Sequence, residues 1–134
     1  MKTLPANCPI WLEQKILEKG GLISFYEFMN MVLNDPIHGY YGSGKANIGF
    51  KGDFVTSPSL SDDFSSLLSK QIENWAEEIL NSIKTNKKLT VLEFGSGEGT
   101  LIKGIIRYFL NQNEEILQRL SFKIFEINRG MQSK

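Results

Sequence analysis

The chain has 134 residues, with Lys plus Arg at 15 and Asp plus Glu at 15, so its formal charge is zero and it offers no electrostatic footprint for nucleic acid or an anionic membrane. A hydrophobic share of 41% and a charged share of 22% describe a globular chain of about one domain, not a disordered one. A single Cys excludes an internal disulfide, one Cys with one His argues against a zinc site, and no apolar run is long enough to span a bilayer.

In chain order, Met1 to Pro9 has neither the apolar core of a signal peptide nor the Arg-rich face of a transit peptide, so the expected location is the cytoplasm. Ile10 to Lys19 reads as a helix carrying Trp11, Ile16 and Leu17, stopped by Gly20-Gly21. Ser24 with Glu27 forms a capping box. Behind it, Phe25, Phe28, Met29, Val32 and Leu33 fall at helical spacing and predict one buried stripe. Pro36 ends that helix, because it disfavours helical geometry at Asp35.

Residues 35–61 hold five glycines and two prolines and keep no period, which suggests a functional lid or binding segment. Ser61 then caps a long helix in which Phe64, Leu67, Leu68, Ile72, Trp75, Ile79 and Ile83 repeat, with Asp62 and Asp63 in the favourable first turn. From Lys87 the period changes. Leu89 to Phe94 reads as a strand broken by Gly95-Ser96-Gly97-Glu98-Gly99, and a helix follows from Thr100 with Leu101, Ile105 and Phe109 on one side. A helical piece from Glu114 to Leu120 precedes a second strand, Phe122 to Phe125, and Glu126 closes it. The expected organisation is a helical N-terminal region over 1-86, with a lid-like stretch at 35-61, followed over 87-134 by a β–glycine loop–α–β unit.

The glycine loop carries the chemistry. A strand that ends in such a turn and feeds a helix aims backbone N–H groups, and about half a positive charge, at a ligand. An ionised Glu126 at the next strand end can accept two hydrogen bonds from ribose hydroxyls. Together they describe a nucleoside-containing ligand lying across two strand ends. The dinucleotide fingerprint G-x-G-x-x-G fits poorly, because Thr100 stands where its third glycine would be and Glu126 comes 27 residues after Gly99 instead of about 20. Gly39 to Lys45 has P-loop spacing, but Ala46 replaces the Ser or Thr that would hold magnesium and no strand precedes it. The Gly-x-Ser-x-Gly nucleophile elbow is absent, and His38 reads as a turn residue.

Glu93-Phe94-Gly95-Ser96-Gly97-Glu98-Gly99 has the E-x-G-x-G-x-G form and resembles motif I of the class I S-adenosylmethionine (SAM) methyltransferases. In that resemblance the loop faces the methionine part of SAM and Glu126 holds the ribose. The stretches ISFYEFMNMVLNDPIHGYYGSG, GDFVTSPSLSDDF, VLEFGSGEGTL and FEIN together resemble the MidA family of SAM-dependent methyltransferases, whose mitochondrial branch includes a complex I assembly factor of protein arginine methyltransferase type. The resemblance runs from about Ile23 to the C-terminus. It implies an α/β fold, an incomplete class I methyltransferase (Rossmann-like) fold preceded by a helical N-terminal region.

The same resemblance implies SAM as cofactor and points to a protein substrate, while the composition and charge above argue against metal, nucleic acid and membrane. The cofactor-binding residues it implies are Glu93, Gly95, Gly97, Gly99, Glu126, Thr56 and Ser57, with Gly52 and Asp53 nearby and Tyr40 and Tyr41 as candidates for the acceptor pocket. It names no catalytic base. Family members are well over twice as long, and only the first two of seven strands are recognisable here. The expectation is therefore an N-terminal fragment that needs a complementing C-terminal fragment, or an inactive remnant acting as an interaction module. An NAD(P) oxidoreductase is the remaining enzymatic alternative.

Overall fold

The computed structural model describes residues 8–84 and 86–133; most of the N-terminal stretch tested for targeting signals, up to residue 7, lies outside them. Helix α1 (Ile10–Glu18) buries Leu12 and Ile16 and ends as expected at Gly20 and Gly21, both at positive φ. Helix α2 (Phe25–Asn34) starts on the predicted capping box, with Glu27 N–H donating to Ser24 Oγ (3.2 Å) and Ser24 N–H to Glu27 Oε2 (2.9 Å).

The predicted buried stripe of α2 is not buried. Phe25 is 76% exposed, Phe28 is exposed, and Met29, Val32 and Leu33 are only partly covered. The spacing is helical, but burial along that stripe is at most partial. Two contacts tie α1 to the turn after α2. Lys15 pairs with Asp35, and Trp11 stacks on His38 with ring centroids 4.7 Å apart.

Residues 35–61 form a chain of local turns. Asp35 Oδ1 accepts N–H bonds from Ile37 and His38 (both 2.9 Å), and the amides of Tyr40 and Tyr41 bond back to Val32 and Leu33 of α2 (2.9 and 2.8 Å). Ala46 is fully buried. A short helix, α3 (Ser57–Leu60), lies inside this stretch, too short for periodicity to reveal.

Helix α4 (Asp62–Ile83) begins at Ser61 as predicted, but it packs through its small residues. Ser65, Ser69 and Ala76 are buried, whereas Phe64, Leu67, Trp75, Ile79 and Ile83 remain substantially exposed. The reason is close approach. At Gly104 of helix α5 (Thr100–Gln112), an added Cβ would sit 2.5 Å from Ser65 Oγ, so only small residues let the two helices meet. Leu68 and Ile72 still reach the core.

Strand β1 (Leu89–Phe94), α5, helix α6 (Glu114–Arg119) and strand β2 (Leu120–Phe125) form the expected β-α-β unit. The strands are parallel and in register from Leu89↔Leu120 to Phe94↔Phe125. β2 starts earlier than the sequence suggested because Leu120 is itself buried in the core, with Ala76, Ile105, Phe109 and Ile116. Along β1, Leu89, Val91 and Glu93 are partly covered while Thr90, Leu92 and Phe94 face outward. After β2, helix α7 (Arg129–Gln132) folds onto the N-terminal turns. Gly130 N–H donates to Gly42 O (3.2 Å), and a Cβ at Gly130 would collide with the backbone of Gly44. Among the described residues no helix is long and apolar enough to cross a membrane.

Candidate functional site

β1 brings Glu93 to the mouth of the loop, and the chain then turns on three glycines at positive φ: Gly95 (69°), Gly97 (54°) and Gly99 (73°). A side chain would strain this path at each step. Gly95 N–H donates to Phe125 O (2.8 Å), which carries the strand pairing one rung into the loop. Gly97 N–H donates to Glu126 Oε2 (2.9 Å), and Asn128 N–H donates to Glu126 Oε1 (2.8 Å). The acidic residue at the end of β2 thus meets the glycine loop directly, 29 positions from Gly97 in sequence. Gly99 is the N-cap of α5, and its N–H turns back to Ser96 O (2.8 Å).

A cavity of about 200 Å³ lies beside the loop. Glu93, Gly95, Ser96, Gly97, Glu98, Thr100 and Leu101 form one wall, and Ile48, Thr56 and Pro58 form the other. Of the residues singled out in the sequence, Glu93, Gly95, Gly97 and Thr56 therefore come together here. Gly99 is buried behind the loop, Glu126 reaches it from the β2 side, and Ser57 opens α3 without lining the cavity. Asp53 bonds to the Tyr40 hydroxyl, which raises the Tyr40 pKa, and the Tyr40 ring meets Tyr41 and Phe54 edge-on (5.0 and 6.0 Å). Gly52 packs on Asn47. None of Tyr40, Tyr41, Gly52 and Asp53 lines this cavity.

Two buried polar atoms face no partner among the described residues, Glu93 Oε2 and Ser96 Oγ. Burial pushes the Glu93 carboxyl above its usual pKa, opposed by a backbone hydrogen bond from Ile102. Ser96, 9% exposed, is a site residue that the sequence reading passed over. Its place between two glycines of the loop was the available signal.

Residues 67–134 match the sequence model of a family described as "Putative S-adenosyl-L-methionine-dependent methyltransferase". The chain belongs to this methyltransferase family. Its resemblance to the MidA family holds at the level of curated relatives. Protein arginine methyltransferase NDUFAF7, mitochondrial, of Xenopus tropicalis is 38% identical over 95 residues, covering 71% of this chain and 21% of the relative. The Homo sapiens protein is 36% identical over 96 residues, with 69% and 20% covered. The Drosophila melanogaster homolog is 32% identical over 96 residues, with 72% and 21% covered.

A methyltransferase-family fold is also seen by superposition. A Burkholderia thailandensis crystal structure bound to S-adenosyl-homocysteine matches with a TM-score of 0.58 at 23% identity, over 90% of this chain and 40% of that one. The observed β-α-β unit is thus part of a Rossmann-like methyltransferase fold. The chain spans about a fifth of the length of the curated relatives it matches. The expected cytoplasmic location is corrected by the same relatives, which are named as mitochondrial proteins.

Proposed function

We propose that this chain forms the donor-binding part of a SAM-dependent methyltransferase directed at protein arginine. Residues 87–134 would begin the SAM-binding unit and residues 1–86 would cover it. The observation that carries this reading is the hydrogen bond from Gly97 N–H to Glu126 Oε2, which joins the loop and the acidic strand end into one site. The names of the relatives support the arginine substrate.

The donor set suits the cofactor. Glu93 has a spare buried oxygen for an ammonium group, and Ser96 has a spare hydroxyl beside it. Glu126 spends one lone pair of each oxygen on Gly97 and Asn128 and keeps others for ribose hydroxyls. Thr56 and Pro58 close the opposite wall and keep water off the bound donor. SAM, when bound, supplies a methyl group on a sulfonium that leaves readily. The residues here hold and orient that donor, and the acceptor is positioned by groups outside the loop.

The test is calorimetric titration with S-adenosyl-homocysteine. Glu126→Ala should weaken binding by about 1–3 kcal/mol, the cost of losing a charged acceptor, and Glu126→Gln by less because one carbonyl acceptor survives. Equal affinity for wild type and both variants refutes the ribose role.

A further inference from the structure

The Gly97 amide stays on Glu126 through contacts made from outside the glycine loop. Met131 of α7 is 2% exposed, and its Cε lies 3.7 Å from where a Cβ on Gly97 would stand. The thioether thus rests against the loop residue whose N–H donates to Glu126. α7 grips the acid as well. Asn128 N–H donates to Glu126 Oε1 (2.8 Å), Asn128 O accepts from the Met131 and Gln132 amides (3.0 and 3.1 Å), and the Gln132 side chain donates to Glu126 O. α7 is itself supported by the turn at 39–44. Gly130 N–H donates to Gly42 O (3.2 Å), and a Cβ on Gly44, at φ 75°, would stand 2.9 Å from Gly130 O. That turn is fixed on α2, since the amides of Tyr41 and Gly42 donate to Leu33 O (2.8 and 3.0 Å). None of Gly42, Gly44, Gly130 and Met131 lines the cavity beside the loop.

A binding site works only while its groups are held within about 0.5 Å of their productive places, by neighbours that are themselves packed. Gly97 has no side chain with which to anchor its own position. Packing must therefore come from another element, and a flexible thioether fills an irregular gap beside a glycine well. We propose that Met131 is a positioning residue for the donor site: it seats the Gly97 amide on Glu126, and the turn at 39–44, acting through Gly130, seats Met131. Close-packed contacts of this kind transmit a displacement instead of absorbing it. Donor affinity then depends on a turn that does not line the donor cavity. The inference rests on the proposed function only for the identity of the ligand that Glu126 receives.

The test reads the free chain and the bound donor separately. Amide hydrogen exchange at Gly97 in the unliganded chain reports how firmly that amide is held. Titration with S-adenosyl-homocysteine reports what the hold does for binding. Met131→Ala should speed exchange at Gly97 and raise the dissociation constant, each by on the order of tenfold, the scale of one weakened hydrogen bond to a charged group. Met131→Leu keeps the apolar volume and should stay within about twofold of the unaltered chain. In a Glu126→Ala background, Met131→Ala should add nothing further to the loss of affinity, because both changes act on one bond. Ile116→Ala, a core truncation, should lower the melting temperature and move neither readout. Gly44→Ala should move both in the direction of Met131→Ala. If circular dichroism shows Met131→Ala unfolded, Met131→Val is read in its place. Unchanged Gly97 exchange or unchanged affinity in a folded truncation at 131 overturns the proposal. So does a loss of undiminished size in the Glu126→Ala background, or a Gly44→Ala chain in which Gly97 exchanges as before. An unaltered chain that fails to bind S-adenosyl-homocysteine sinks the proposed function instead, and exchange at Gly97 still decides the positioning role.

Discussion

Glu93 and Glu126 end neighbouring strands and meet opposite circumstances. Each Glu126 oxygen receives a backbone N–H, whereas one Glu93 oxygen is buried with none. A carboxyl whose folded pKa is raised holds its proton longer in the folded state, so it lowers stability as pH rises from the unfolded value near 4.3 through the folded one. Glu93→Gln should therefore raise the melting temperature at pH 7, with the gain vanishing toward pH 4. It should also weaken S-adenosyl-homocysteine binding severalfold. Thermal scans at the two pH values with one titration check both halves, and an unchanged melting temperature at pH 7 would show that burial does not govern this carboxyl. The glycines and the two acids were legible in sequence because the chemistry demands those residue types at those places. Ser96 was passed over, since its place between two glycines marks the loop but its buried, unpartnered hydroxyl shows only in the structure.

At the level of elements, caps read more reliably than faces. Ser24 with Glu27 and Ser61 each began a helix where expected, because a cap is a local contract between neighbouring residues. The apolar repeats of α2 and α4 gave the right helices, but the stripe expected to be buried on α2 is largely uncovered. Spacing fixes which residues share a stripe, while the partner decides which stripe is buried, and at α4 the partner is Gly104 against Ser65. Gly104→Ala should cost about 1–3 kcal/mol in urea unfolding, the usual toll of overpacking, and Ser65→Gly in the same chain should recover most of it.

The tether of α1 to the following turn has its own signature in acid. The Lys15 ammonium, with the His38 and Ile37 amides, holds Asp35 down to about 2 against an unfolded value near 3.9. A depressed acid stabilises above its unfolded pKa and stops doing so as pH falls through the folded one. The Trp11–His38 stack should therefore persist above about pH 4 and loosen between about pH 4 and 2. Near-UV circular dichroism of a Trp75→Phe chain, which leaves Trp11 as the reporter, follows it.

Across the whole molecule, the order of elements and the parallel pairing were readable because a glycine loop between a strand and a helix admits few other topologies. What no pattern announced was the way the first and last segments lock together. Phe109 is fully buried in the core, and Phe109→Ala should cost about 3–5 kcal/mol, a large part of the 5–15 kcal/mol that ordinary domains possess. Denaturant melts at about 25 °C should show its midpoint shifted well below that of the unaltered chain.

The fit of Gly130 against Gly42 and Gly44 has a consequence for handling the protein. Main chain touches main chain there, with no space for a single methyl group. The opening turns and the closing stretch are thereby stitched into one body, although more than eighty positions separate them along the chain. A protease nick between α4 and β1 should leave two fragments that migrate as one under native conditions and part only in denaturant. Gly130→Val would unpick the seam and leave the two pieces joined through α4 against α5.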